Sequence, residues 1–451
     1  MIGTIFVLII VGLTTFYCYF RWKNREMYFH AEKFDGPPTL PLIGNLHFLI
    51  GKRSEDMFML IQKVCNEYKT PVRIWIGSML LIYVTKPADV QKVLTSNNCL
   101  DKMYIYKLFG WESGVLSTSA NIWKHHRKLL NPCFSPSILQ SFLPIFQEKA
   151  CVLVNCLKKV SQKEFDIFPF LSACTLDSIC ATILDFDVDS QNSKNLDFVE
   201  ALEELFPIIN TRIFNVLLHP FNIYKHTQLY RREIKLRQII SETTNKIIQA
   251  KIKCIENERR RKTFVRQTPA SKTSNNLNHI DENGIKCEKN LVVDNFSIVI
   301  KLIISFKIPC RLRLYPPGPL IVRKCTEHVN LQTGTAPKDA NIIINIFGLH
   351  HDSTVWGDDV EQFKPDRFSP LNIRYRHPYS FIPFSGGKRI CLGYKYAMLS
   401  MKAMLFELLR KYRFSTKLTM TDLRPNMNIT LKLGNKHMVK IDERNVMHTE
   451  K

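Results

Sequence analysis

From Ile2 to Phe20 no residue carries a charge, and no other feature limits the fold of this chain more. At about 1.5 Å per residue, a helix over this run just crosses a hydrocarbon core of about 30 Å. In lipid such a segment satisfies its backbone only as a helix or in a closed barrel, so residues 1–20 read as a transmembrane anchor. A secretory signal peptide is the rival reading, but it needs a positive n-region and a small-residue cleavage site, and neither stands near Met1 or Phe20. Arg21, Lys23 and Arg25 follow directly, and the positive-inside rule places what comes after them on the cytosolic side. The 13 cysteines agree with that side. They are odd in number, scattered and without a CxxC, which suits a reducing compartment better than a disulfide framework or a zinc ribbon.

Residues 21–45 read as a basic and proline-rich hinge. In Gly36-Pro37-Pro38-Thr39-Leu40-Pro41 three prolines fix φ and remove donors, so the stretch is a stiff spacer or an ordinary loop, not a helix or central strand. Residues 46–451 then form one domain, and the 45% hydrophobic and 23% charged content excludes wholesale disorder. Val72 to Ile76 and Leu80 to Thr85 flank Gly77-Ser78 as a small hairpin. Ser141 to Val160, Arg231 to Ile255 and Tyr394 to Lys411 carry apolar residues at helical spacing. The fold class expected is therefore predominantly α with a small β subdomain. Between Glu256 and Asn295 the chain turns polar and reads as a solvated loop. The formal charge of +23 admits nucleic acid, an anionic membrane or an acidic protein. Arg259-Arg260-Arg261-Lys262 lacks interleaved aromatics, and no finger, helix–turn–helix or base-stacking motif occurs, so nucleic acid is not an expected partner.

The segment Phe384-Ser385-Gly386-Gly387-Lys388-Arg389-Ile390-Cys391-Leu392-Gly393 runs straight into the helix-patterned stretch from Tyr394. A cysteine at a helix N-terminus meets the positive end of the macrodipole and free N–H groups, and both favour a thiolate. Gly387 and Gly393 allow close approach of a flat ligand or positive φ, and Arg389 adds a cation. A buried cysteine by itself is ordinarily inert core. The whole decapeptide, F-x-x-G-x-x-x-C-x-G, resembles the haem-binding signature of the cytochrome P-450 monooxygenases. That resemblance implies haem b with Cys391 as its axial iron ligand and catalytic thiolate, with Phe384, Gly387, Arg389 and Gly393 against the cofactor.

Other segments follow in the family's order. Trp123-Lys124-His125-His126-Arg127 looks like its W-x-x-x-R helix, which implies Trp123 and Arg127 on a haem propionate through charge-assisted bonds. A packed Trp with a surface Arg is the plainer reading of that pair. The adjacent pairs His125-His126 and His350-His351 do not face one another on a helix and read as structural or surface residues. Arg313-Leu314-Tyr315-Pro316-Pro317 is similar to the end of the E-x-x-R helix, Arg323 falls at a further propionate arginine, and Phe363-Lys364-Pro365-Asp366-Arg367-Phe368 looks like the P-E-R-F stretch. Arg313 and Arg367 would then lie structurally near the haem. Phe165-Asp166-Ile167-Phe168-Pro169, Cys174-Thr175-Leu176-Asp177 and His377-Pro378-Tyr379 are most similar to the fatty-acid ω-hydroxylase branch, family four.

The resemblance implies insertion of one oxygen atom into a fatty-acid or xenobiotic C–H bond. Electrons would come from NADPH through a flavoprotein, cytochrome P-450 reductase. The catalytic domain would face the cytosol from the endoplasmic reticulum membrane. Lys388, Arg389, Lys395 and Lys402 could attract an acidic reductase. Substrate choice is expected from residues Lys102 to Leu116, Phe206 to Phe221 and Gly318 to Ile321, and from the central helix whose motif is missing here.

The chain departs from the family in the middle. Residues 291–296 fit the first turns of the long central helix, but its G-x-[DE]-T motif, whose acid and alcohol pass protons to the oxygen being activated, occurs nowhere. Ser297 to Pro309 stand in place of several tens of residues, so the domain is shortened around 266–310. Cys310 occupies the glutamate position of E-x-x-R, leaving Arg313 and Arg367 without their carboxylate. A second function follows from this departure, a non-catalytic relative that binds haem at most.

Overall fold

The computed structural model describes residues 2–53, 56–111, 113–160, 163–192, 196–267, 307–419, 422–434 and 436–444. The uncharged run forms helix α1 (Ile2–Lys23). Its side chains are exposed, and it is long and apolar enough to cross a membrane. The helix runs three residues past Phe20 and takes the first two basic residues with it. After Asn24 a short helix, Arg25–Ala31, leads into the proline-rich segment. That segment lies against the domain instead of bridging a gap. Asn45 donates from its backbone to the Trp75 carbonyl at 2.6 Å and accepts from the Trp75 amide at 2.9 Å.

Helices dominate the remainder: α2 (Ala120–Leu130), α3 (Leu143–Lys158), α4 (Phe168–Ile179), α5 (Leu196–Phe214), α6 (Gln228–Gln267) and α7 (Tyr394–Lys411). Helix α6 continues to Gln267, so residues 256–267 are helical where their polar composition suggested a loop. Lysine and arginine are good helix formers, and a polar sequence extends a helix that its apolar first half has already docked on α5. The contact there joins Leu236 to Ala201, Leu205, Ile208 and Ile209. The expectation that residues 268–295 form a loop and that 291–296 open the central helix lies outside the described residues, as does that for 297–306.

Four strands form one sheet: β1 (Val72–Ile76), β2 (Met79–Val84), β3 (Leu320–Lys324) and β4 (Asn341–Asn345), in the order β1-β2-β4-β3. The β1–β2 hairpin is the one read from the sequence, and β2 pairs parallel with β4. The two-residue period of a strand sends neighbours to opposite faces. Here both faces are buried. Trp75, Leu80, Ile82, Val84, Ile342 and Ile344 pack on the helix Pro87–Thr95, while Val72, Ile74, Leu81, Tyr83, Val322 and Ile343 pack towards Val64 and Met103. Helix α7 is held against α3 and α4 by Leu153, Leu157, Cys174 and Leu408. It is also tied by Tyr396, whose hydroxyl shares a 2.7 Å hydrogen bond with Thr182. This packing fixes the loop that carries Cys391.

Candidate active site

Cys391 is exposed and lies three residues ahead of α7, with its amide donating to the Phe384 carbonyl at 3.0 Å. The loop between them turns at Ser385 (φ 63°) and Gly387 (φ 64°). A Cβ at Gly387 would stand 2.0 Å from the Leu94 carbonyl oxygen, so glycine is required here by the protein's own backbone. Gly393 differs. Its φ is −90°, and the nearest atom to a Cβ there is 3.8 Å away on Phe134. The positive φ allowed for it from the sequence is absent, and the domain itself does not demand glycine at that position. Phe384 packs into the cluster of Ile308, Leu312 and the inner face of α7, which anchors the start of the loop.

Two of the predicted basic residues, Arg323 and Arg389, converge, and a cation that was not predicted joins them. Arg389 is buried, donates to the Thr118 carbonyl at 3.1 Å, and lies over the Trp123 ring at 4.4 Å. Its Nε is buried with no hydrogen-bond partner among the described residues. Burial and then Arg323 push it down to about 10. Arg323, 1% exposed on β3, donates to the Ser385 hydroxyl at 3.3 Å. The half-buried Lys102, which no motif marks, is the third cation. Burial, followed by Arg323 and Arg389, holds its ammonium well below the usual lysine range. Like charges crowded this way are costly unless an anion joins them. Among the described residues, the carboxylate that acts on Arg389 is Asp101, which also accepts from the Ala120 amide at 2.7 Å. Three cations, an unpaired guanidinium N–H and a nearby thiol loop fit a flat ligand with an anionic edge and a thiolate-binding metal. Haem is such a ligand.

Arg127 does not join that group through any contact among the described residues. It donates to the Ile390 carbonyl at 2.7 Å and to Asn131 at 2.9 Å, and so braces the peptide just before Cys391. Burial lowers the Arg127 guanidinium, and the charge of Cys391 acts against that shift. Because Arg389 is buried, it cannot serve with Lys388 and Lys395 as a surface lure for a partner.

Arg367 corrects a second expectation, while Arg313 lacks a carboxylate among its contacts as expected. Arg367 keeps a carboxylate, from Asp359, and also donates to the Trp356 and Asp359 carbonyls. Arg313, on the helical stretch 307–314, is fully buried and donates to the carbonyls of His350 (2.9 Å), Val360 (2.6 Å) and Gln362 (3.2 Å). Burial, then Arg367, lowers it to about 10. Three carbonyls replace the acid that Cys310 cannot supply. Of the histidine pairs, His125 is exposed, and His350 is fully buried with Nε2 accepting from the Ile382 amide, which bears out their structural reading.

A cavity of about 340 Å³ lies beside the sheet. Met103, Tyr106, Phe109 and Leu116, Ile213 and Phe214, and Leu320 and Ile321 line it, so each segment expected to meet substrate contributes. Phe48, Leu60 and Met427 also line it. They went unread because single apolar residues in a short helical turn (Phe48), a helix (Leu60) and a strand (Met427) carry no spacing signal. Val322 lines the cavity while the next residue, Arg323, reaches the cysteine loop; β3 thus serves both sites.

The sequence profile described as Cytochrome P450 matches residues 35–290 and 311–441. The chain is 27% identical to cytochrome P450 4g1 of Drosophila melanogaster over 512 positions, which cover 95% of this chain and 92% of that protein. It is 28% identical to cytochrome P450 4c21 of Blattella germanica, covering 92% and 94%, and 26% identical to cytochrome P450 4V2 of Mus musculus, covering 88% of each. The first alignment is longer than the chain's 451 residues, so that relative carries residues with no counterpart here. The profile itself breaks at 291–310.

Proposed function

The chain belongs to the cytochrome P450 family, whose members are haem-thiolate monooxygenases, and from that premise we propose that it hydroxylates a lipophilic small molecule from a membrane anchor. Long-chain fatty acids are the substrate class implied by the resemblance of residues 165–169, 174–177 and 377–379 to the family-four branch. Haem b bound here supplies the redox chemistry that splits dioxygen. The chain's own residues have separate tasks. Cys391 would offer the thiolate, Arg127 holds the preceding carbonyl, and Lys102, Arg323 and Arg389 are the residues that would hold the carboxylates of the haem edge. Trp123 steadies the Arg389 guanidinium through its ring face, and Gly393 leaves clearance above the cysteine. The apolar cavity excludes water and orients the substrate chain. Electrons would come from NADPH through a flavoprotein reductase drawn to exposed lysines such as Lys388 and Lys395. Helix α1 would fix the protein in the endoplasmic reticulum membrane, with the domain on the cytosolic side set by Arg21, Lys23 and Arg25.

The observation that carries this reading is the group of cations around the buried Arg389 and Arg323, set beside the Cys391 loop with the Arg389 Nε unpartnered among the described residues. In the reduced, CO-bound protein the thiolate-type absorption shift is expected for the wild type and its loss for Cys391→Ala. Absence of the shift in both would sink the assignment. The break at 291–310 favours a second reading, in which the chain holds haem but turns over little because the acid–alcohol pair is missing. Haem uptake without NADPH-dependent lipid hydroxylation would select it.

A further inference from the structure

Away from the cysteine loop, one carboxylate and two imidazoles meet where the helix after the membrane-length segment touches the domain. Glu26 and His30 lie one turn apart on Arg25–Ala31 and so share a face. His328 stands just before the strand Val329–Asn330, far along the chain. Glu26 Oε1 is 3.1 Å from His328 Nε2, and the two imidazole centroids are 5.1 Å apart at 68°. One ligand atom from each residue lies within 4.8 Å of the other two. His30 Nδ1 is buried with no hydrogen-bond partner, an arrangement that costs free energy unless something satisfies it.

We infer that Glu26, His30 and His328 form a zinc site that pins the membrane-proximal helix to the domain. Zn–N and Zn–O bonds of about 2.0–2.2 Å place tetrahedral ligands roughly 3.3 Å apart. The Glu26–His328 pair already has that spacing, and the His30 ligand atom lies within 4.8 Å of both. Two imidazoles and a carboxylate are an N/O set that suits Zn²⁺, with a fourth position open to water. Metal binding needs a neutral imidazole. The surrounding cations have other partners: Lys33 lies over Phe29, Arg25 over Trp22, Arg21 over Tyr28, and Lys338 pairs with Glu327. Only Asn24 separates Arg25–Ala31 from α1, so this clasp sets the angle between the apolar helix and the domain.

The test is titration of the full-length protein, in detergent micelles, with Zn²⁺ alone and with Co²⁺ as a spectroscopic substitute. The wild type is expected to bind one more equivalent than His328→Ala and to gain thermal stability on binding. Glu26→Gln, a surface change that leaves folding in EDTA untouched, is expected to weaken that equivalent about tenfold or more. The Co²⁺ spectrum at this site should show an N/O ligand field without thiolate charge transfer. Equal zinc binding by the wild type and both variants, or a thiolate signature for the equivalent lost, overturns the site. If His328→Ala does not fold, Glu26→Gln decides.

Discussion

At the scale of single residues the strongest electrostatic features are cations and imidazoles placed where water is excluded. His350 is fully buried, and burial drives it from 6.5 down to about 3. The neutral form is the native one, so the unfolded chain binds the extra proton. The stability this residue contributes is complete above pH 6.5 and falls as pH drops towards 3, by up to about 1.4 kcal/mol per pH unit. Melting curves between pH 7 and 4 should therefore be less acid-sensitive in His350→Gln, whose side-chain oxygen can still accept from the Ile382 amide. Lys102 has the same sign of proton linkage. Burial, then Arg323 and Arg389, holds its ammonium below the usual lysine range, so Lys102→Met is expected to stabilise the haem-free protein. It should also speed haem loss about tenfold, the equivalent of one charge-assisted hydrogen bond, as read by transfer of haem to a scavenging apoprotein. A purely structural lysine would not produce opposite signs in the two measurements.

At the scale of elements, the two glycines of the cysteine loop separate the needs of the fold from those of the ligand. Gly387→Ala places a methyl against the Leu94 backbone at positive φ. It is expected to cost about 2 kcal/mol or more in denaturant unfolding. Gly393→Ala meets no atom closer than 3.8 Å. It should change the stability of the haem-free protein by less than about 1 kcal/mol and yet lower haem uptake. Equal effects of both on unfolding would remove the distinction. The helix-to-turn junction at Gly393 and the span of α7 were legible in the sequence, because apolar spacing and a glycine-rich turn are local signals. Which glycine the backbone itself needs was not legible, since that depends on Leu94, nearly three hundred residues away in sequence. The extent of α6 was misread for a related reason: packing against α5 carries a polar stretch into helix.

At the scale of the whole molecule, the profile break at 291–310 and the relative that outruns this chain in alignment bear on one junction. Sequencing the transcript across the codons for Phe296 to Arg313 is expected to reveal either of two outcomes with different chemistry. Extra in-frame residues carrying G-x-[DE]-T and a glutamate three before Arg313 would restore the proton path and the buried ion pair. A junction read as written leaves Cys310 buried in that place, with Arg313 held by three carbonyls. NADPH-dependent lipid hydroxylation by the purified chain of 451 residues would then refute the second, haem-only reading.

The sequence by itself determined the membrane-length helix, the predominantly helical class with its small sheet, and the family through the Phe384–Gly393 segment, because each is written in contiguous residues whose spacing has one physical meaning. Only the tertiary structure decided which cations meet. Lys102 joined Arg323 and Arg389, Arg127 turned to the Ile390 carbonyl, and Asp359 took Arg367. Those choices rest on which side chains share a buried volume and on the cost of leaving a charge there without a partner, and neither is local in the chain.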